Sequence, residues 1–182
     1  MESANQEIRR QEMWWILRAQ AGDREALDQL LRLMQGPLYR YIHSLVGTRA
    51  LAEDILQEVF ILIYRKLRWL REPELFRPWA YRIATREAFK HLKRERRWSD
   101  KTEDESVLAG LPAPSRDELA PEMIEQLVAR ISPASRAVIV LHYLHEMPLA
   151  EIAEVMGVAI GTVKSRLAYG LDCLRKQMTT QN

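Results

Sequence analysis

The sequence predicts an all-α protein: two small helical domains joined by a flexible linker. Three observations carry that prediction. Apolar residues recur at i, i+3, i+4 and i+7 over most of the chain. Only 7 glycines interrupt 182 residues, of which 47% are hydrophobic and 29% charged, enough for a core and favourable to helices. One stretch, residues 99–120, loses all periodicity and collects acidic residues, serines and prolines. The expected division is therefore a front domain over residues 1–98, a linker over 99–120 and a rear domain over 121–182.

Composition narrows the function classes. No apolar run approaches a membrane span, and the start, MESANQEIRR, lacks the apolar centre of a signal peptide. Cys173 is the only cysteine, which excludes an intrachain disulfide and fits a reducing cytoplasm, the expected location. The net charge of +2 is unevenly spread. Residues 61–100 carry 12 Lys and Arg against 5 Asp and Glu, whereas residues 101–130 carry 3 against 7. A basic block of that density points to a polyanion partner.

Taken in order, Ile8, Met13, Trp15, Ile16 and Ala19 predict a first helix over Asn5 to Ala21, stopped by Gly22. Trp14 and Trp15 are adjacent, so only one of them can lie on a narrow inward stripe. Asp23 is the expected N-cap of a second helix carrying Ala26, Leu27, Leu30, Leu31 and Met34. Gly36 and Pro37 predict a break, after which Leu38, Tyr41, Ile42 and Leu45 resume until Gly47. The most regular helix follows from about Arg49 to Leu70, with an i, i+4 stripe of Leu51, Ile55, Val59, Ile63 and Leu67. Glu53, Asp54, Gln57 and Glu58 cluster on its opposite side, which reads either as a solvated face suited to the helix dipole or as a docking surface.

Arg71 to Pro78 is expected as a loop, with Pro73 and Pro78 around Phe76. The segment FRPWAYRIATREAFKHLKRERRW then predicts a basic helix, with Arg82, Arg86, Lys90, Lys93 and Arg94 interleaved with Trp79, Tyr81 and Phe89. Cationic groups for phosphate beside aromatic faces for unpaired bases make a nucleic-acid surface, against the plainer alternative of a solvated helix with its aromatics inward. Beyond the linker, Met123, Ile124, Leu127, Val128 and Ile131 predict a short helix. Ser132 as N-cap and Pro133 at N1 open the next, running to about Glu146 with Ala134, Ala137, Val138 and Leu141 inward. Leu149, Ile152, Ala153 and Met156 form one further stripe. Gly157 then permits a turn, and Ile160, Val163, Leu167, Leu171, Leu174 and Met178 form the last stripe. Two short amphipathic helices about a glycine turn, the second presenting polar and basic residues outward, describe either a helix-turn-helix or an ordinary helical hairpin.

No catalytic residue, cofactor or metal is expected. His142 and His145 stand at i, i+3 without a third ligand at matching spacing, and the glycines lack the Gly-Lys pair of a phosphate-binding loop.

Three motifs in this order resemble the extracytoplasmic-function sigma factors of bacterial RNA polymerase. AEDILQEVF, Ala52 to Phe60, is similar to that family's second conserved region; FRPWAYRIATREAFKHLKRERR, Phe76 to Arg97, is similar to its promoter-melting segment. SPASRAVIVLHYLHEMPLAEIAEVMGVAIGTVKSRL, Ser132 to Leu167, resembles its fourth region. The resemblance implies an initiation factor that directs core polymerase to promoters. Asp54, Gln57 and Glu58 would bind the polymerase β′ clamp helices. Trp79, Arg82, Arg86, Lys90, Lys93 and Arg94 would hold the opened −10 element, with Arg71 to Arg77 as a loop for an extruded base. Thr162, Lys164, Ser165, Arg166 and Tyr169 would meet the −35 element. It also implies contact with the β flap, promoter DNA as ligand and an anti-sigma partner. The sequence departs from the family pattern at Arg86 and Lys90, where Asn and Asp are frequent, and at Tyr169 and Leu171, where Arg is common. Pro148 replaces a frequent Ser cap. The reading from another class is a stand-alone helix-turn-helix regulator that never touches polymerase.

Overall fold

A computed structural model describes residues 2–98 and 131–180, and among these every regular element is helical. The expected linker over 99–120 and the helix through Met123, Ile124, Leu127 and Val128 lie outside the described residues.

Helix α1 spans Glu2–Gln20 and α2 Arg24–Val46. Of the tryptophan pair, Trp15 packs on the core and Trp14 faces solvent. Asp23 caps α2 by accepting from the Glu25 and Ala26 N–H groups at 2.9 and 3.1 Å, while Arg18 Nε donates to its other oxygen at 2.8 Å. The break expected at Gly36 and Pro37 does not occur. Ala26, Leu30, Met34, Leu38, Ile42 and Leu45 make one buried line straight through it. A helix-interior proline costs about 3 kcal/mol. Burying each large side chain of that line returns roughly 1.5–3 kcal/mol, so packing outweighs the proline.

Helix α3, Arg49–Lys66, ends one turn earlier than expected and tightens into a 3₁₀ turn, Leu67–Trp69. A second 3₁₀ turn, Pro73–Leu75, leads into α4, Phe76–Trp98. Pro78, expected to keep the segment a loop, lies in the first turn of α4, where its missing N–H would have had no intrahelical acceptor.

In the rear half, Ser132 Oγ accepts from the Ser135 N–H and starts α5, Pro133–Ile139. The helix expected to reach Glu146 instead widens into a π turn, Val140–Leu144. Helix α6, Leu149–Met156, closes on Gly157 at φ 65°, and α7 spans Ile160–Thr180. Gly170 lets α7 meet α5 closely: a Cβ there would stand 2.5 Å from Ile139 Cδ1.

The two halves share one continuous core. Arg136 of α5 donates to the Ser44 and Leu45 carbonyls at 3.0 and 3.1 Å, capping the C-terminal end of α2. Helix α6 lies against α4, where Arg82 Nε donates to the Glu154 carbonyl at 2.9 Å. Between them, Tyr81 Oη and His145 Nδ1 stand 2.7 Å apart in a hydrogen bond whose direction the imidazole tautomer sets.

Candidate nucleic-acid and polymerase interface

Side chains on α3 alternate between the core and solvent with a period that leaves Asp54 and Gln57 exposed. Glu58 is turned toward α4, with its carboxylate 3.3 Å from His91 Nε2 and 3.9 Å from Lys90 Nζ. The His91 hydrogen bond is the main cause that lowers the Glu58 pKa. Glu53, from the same acidic cluster, accepts from Arg49 Nε at 2.8 Å. The face reads further than the acidic residues suggested: Ile61 and Tyr64 continue Asp54 and Gln57 at helical spacing and are 50% and 63% exposed. Their signal was present in the sequence, as large apolar side chains off the buried Ile55–Val59–Ile63 line.

On α4, Arg82, Arg86, Lys90 and Arg94 recur every fourth residue and are exposed, with Lys93 beside them. They are not equally available. Arg82 is engaged by the Glu154 carbonyl, and Lys90 pairs with Glu87 at 2.7 Å. Tyr81 corrects the expectation that it belongs to a base-stacking set. It is 5% exposed, because the small residues Ala80, Ala84 and Ala88 draw this face against the core, and His145 satisfies its hydroxyl. Phe89 is partly buried against the core, while Trp79 is only partly covered, its ring tilted on Phe76 at 6.1 Å.

Where α3 ends and α4 begins, Lys66, Trp69, Leu70, Arg71 and Trp79 line an open cleft of about 440 Å³. Trp69 is 61% exposed, and the Arg68 guanidinium stands 4.0 Å over its ring. Sequence reasoning placed a base-holding loop at Arg71 to Arg77. Of that loop only Arg71 lines the cleft, and Lys66 and Trp69, on the segment expected to be the tail of a helix, join it.

On α7, Lys164 is exposed, while Thr162, Ser165, Arg166 and Tyr169 are half-buried. Ser165 Oγ donates to the Gly161 carbonyl at 3.0 Å, leaving its oxygen free to accept. Ile160, expected first in the buried stripe, is 45% exposed, so that stripe starts at Val163. Leu171 is 1% exposed, and a guanidinium at this position would point into the core. His142 Nδ1 stands 3.1 Å from the Met147 carbonyl and His145 faces Tyr81, so the two histidines do not converge on a common point. Among the described residues no group of three metal-ligating side chains occurs, and no helix is long and apolar enough to cross a membrane.

Comparison with known proteins follows the same two halves. The Sigma-70 region 2 family matches residues 30–98, and the Sigma-70, region 4 family matches residues 122–174. The ECF RNA polymerase sigma factor SigW of Bacillus subtilis is 30% identical over 178 residues, covering 90% of this chain and 94% of that protein. The fold is similar to CnrH in its complex with the cytosolic domain of CnrY, with a TM-score of 0.69 at 21% identity over 94% of this chain and 99% of that one. It is also similar to RpoE of Bartonella quintana bound to the anti-sigma factor NepR, with a TM-score of 0.66 at 22% identity over 85% and 98%. With both regions in order and the SigW likeness running through nearly its whole length, the chain belongs to the extracytoplasmic-function sigma factors of RNA polymerase.

Proposed function

We propose that the two halves divide promoter recognition, with residues 1–98 serving polymerase and the −10 element, residues 121–182 the −35 element, and residues 99–120 spanning the gap. Asp54 and Gln57, with Glu58 at their edge, take the β′ clamp helices, and Ile61 and Tyr64 extend that contact with apolar area. Arg82, Arg86, Lys90, Lys93 and Arg94 follow the phosphates of the displaced strand. Trp79 and Trp69 offer their faces to an unstacked base, a contact worth about 1–3 kcal/mol per base. In the rear half Lys164 and Arg166 position α7 on phosphates. Thr162, Ser165 and Tyr169 lie nearer the base edges, and this half also meets the β flap. An anti-sigma factor, the class of partner bound to the Bartonella quintana RpoE, is the expected restraint.

The observation that carries this reading is the continuity of the basic line on α4 with a cleft walled by two indoles and edged by Lys66 and Arg71. Duplex binding needs no such cleft; capture of a separated strand does. Family membership and the exposed α3 face argue against a stand-alone regulator. The test is promoter opening by core polymerase plus this protein, read from permanganate reactivity of thymines in the −10 region. Opening by the wild type and its weakening, short of abolition, in Trp79→Ala support the proposal; a wild type that opens no promoter overturns it.

A further inference from the structure

The first helix precedes the residues matched by the region 2 family, yet it holds both rims of the cleft. Glu12, Ile16 and Gln20 stand at i, i+4 and i+8, one line of α1. Ile16 is 2% exposed and packs this line on the core. At one end, Gln20 Nε2 donates to the Leu67 carbonyl at 3.0 Å and to the Leu70 carbonyl at 2.7 Å. These are carbonyls of the turn where α3 runs out, and Leu70 itself lines the cleft. At the other end, both oxygens of the Glu12 carboxylate accept from Arg77 Nε at 2.9 Å. Arg77 is in the first turn of α4, two residues before Trp79.

Helix packing alone would not select these side chains. Glu12 is 6% exposed, and burying a carboxylate costs several kcal/mol unless its partner is well placed, so an apolar residue would serve plain packing as well or better. What the pair supplies is geometry: it fixes the turn bearing Trp69 and the turn bearing Trp79 to one rigid helix. We propose that Gln20 and Glu12 are positioning residues that set the spacing of the cleft and so decide which unstacked base of the −10 strand it accepts. This rests on the reading of the cleft as the holder of that base.

The experiment is run-off transcription with core polymerase on a promoter library randomised through the −10 element, using the full chain. It compares wild type, Trp79→Ala, Gln20→Glu (equal in size, without the amide donors) and Glu12→Gln (milder, retaining one acceptor). Trp79→Ala locates the position read by the cleft, as the one whose base preference it erases. At that position Gln20→Glu is expected to reduce the preference roughly tenfold and Glu12→Gln by less, with other positions unchanged. A merely structural role would lower the melting temperature and total transcript while leaving the preference intact. That outcome, with Trp79→Ala still erasing the preference, overturns the positioning role and spares the cleft. If Trp79→Ala changes no position, the cleft reading falls and takes this proposal with it.

Discussion

Tyr81 and His145 meet where front and rear halves close on each other, and their surroundings decide how each ionises. Burial pushes the Tyr81 and Tyr41 hydroxyls above their ordinary range. Burial first, and the nearby positive charge of Arg40 second, lower the His145 pKa from 6.5 to about 4. The groups facing the imidazole are the Tyr81 hydroxyl, the edge-on Tyr41 ring and Arg40. Because the folded form keeps His145 neutral, the opened or unfolded chain binds the extra proton. The docked state is therefore most stable above pH 6.5 and loses stability as pH falls toward 4, by at most about 3 kcal/mol from this group. Thermal melts between pH 7.5 and pH 5 should show the fall, and His145→Asn should flatten it. Hydroxyl deletions separate the two tyrosines. Tyr81→Phe strands a buried imidazole nitrogen and should cost about 1–3 kcal/mol. Tyr41 Oη and Thr85 Oγ1 stand 2.7 Å apart in a hydrogen bond, and Tyr41→Phe should cost about 1 kcal/mol or less, because Thr85 Oγ1 keeps its own bond to the Tyr81 carbonyl at 2.7 Å. Urea titration of the two variants checks the order. Tyr81 also marks a limit of sequence reasoning. Its basic and aromatic neighbours suggested an outward ring, and only the Ala80, Ala84 and Ala88 line, which admits a close helix neighbour, pointed the other way.

At the scale of elements, the helices themselves were legible because burial imposes a 3.6-residue period that the order of apolar residues displays. Their interruptions were less so. Pro37 carries a local stop signal, and the buried line from Ala26 to Leu45 overrides it. The π turn at Val140–Leu144 left no mark, since every residue in it is compatible with an ordinary helix. The helix-turn-helix was legible to the residue at Gly157, whose φ of 65° is open to glycine at little cost. Gly170 is a different case, dictated by a neighbour rather than by its own backbone. Alanine there should gain about 1 kcal/mol in helix propensity. Its Cβ, however, would meet the Cδ1 of a fully buried Ile139, and overpacking typically costs about 1–3 kcal/mol. Gly170→Ala is accordingly expected to be destabilising. Ile139→Val removes that one carbon and costs about 1 kcal/mol alone. The double variant should be more stable than the two single losses predict, by about 1 kcal/mol of coupling in a denaturant cycle. Strict additivity would mean the close approach is not what keeps Gly170.

At the scale of the whole molecule, the order of parts was readable from motifs, but their docking was not. The contacts that close it join residues 64 to 92 positions apart, and periodicity says which side of a helix is apolar without saying which helix will cover it. The docked arrangement also sets a mechanical requirement. The −35 and −10 elements are about 25 base pairs apart, on the order of 85 Å along duplex DNA. A compact chain of this length has a radius of gyration of only about 16 Å. Arg82, on the line proposed for the −10 strand, is meanwhile occupied by a carbonyl of the helix-turn-helix. On the proposed division of promoter recognition, both elements can be held at once only if the halves part. Arg136 is the side chain best placed to oppose that parting. It brings a positive charge to the C-terminal end of α2, where the negative end of the helix dipole lies, and donates to the Ser44 and Leu45 carbonyls, which come too late in the helix for an intrahelical partner. Methionine keeps most of its length and apolar stem while removing every donor, including the Nη2 that bonds the Ile131 carbonyl at 3.0 Å inside the rear half. Arg136→Met should therefore cost the rear half one hydrogen bond and the dock two. Small-angle scattering of the free protein is expected to give a radius near 16 Å for the wild type and a clearly larger one for Arg136→Met, with unchanged helical circular dichroism. If the variant stays as compact as the wild type, the apolar contact of α4 with α6 suffices to hold the halves together, and opening must be driven by polymerase or DNA rather than released by loss of this one clamp.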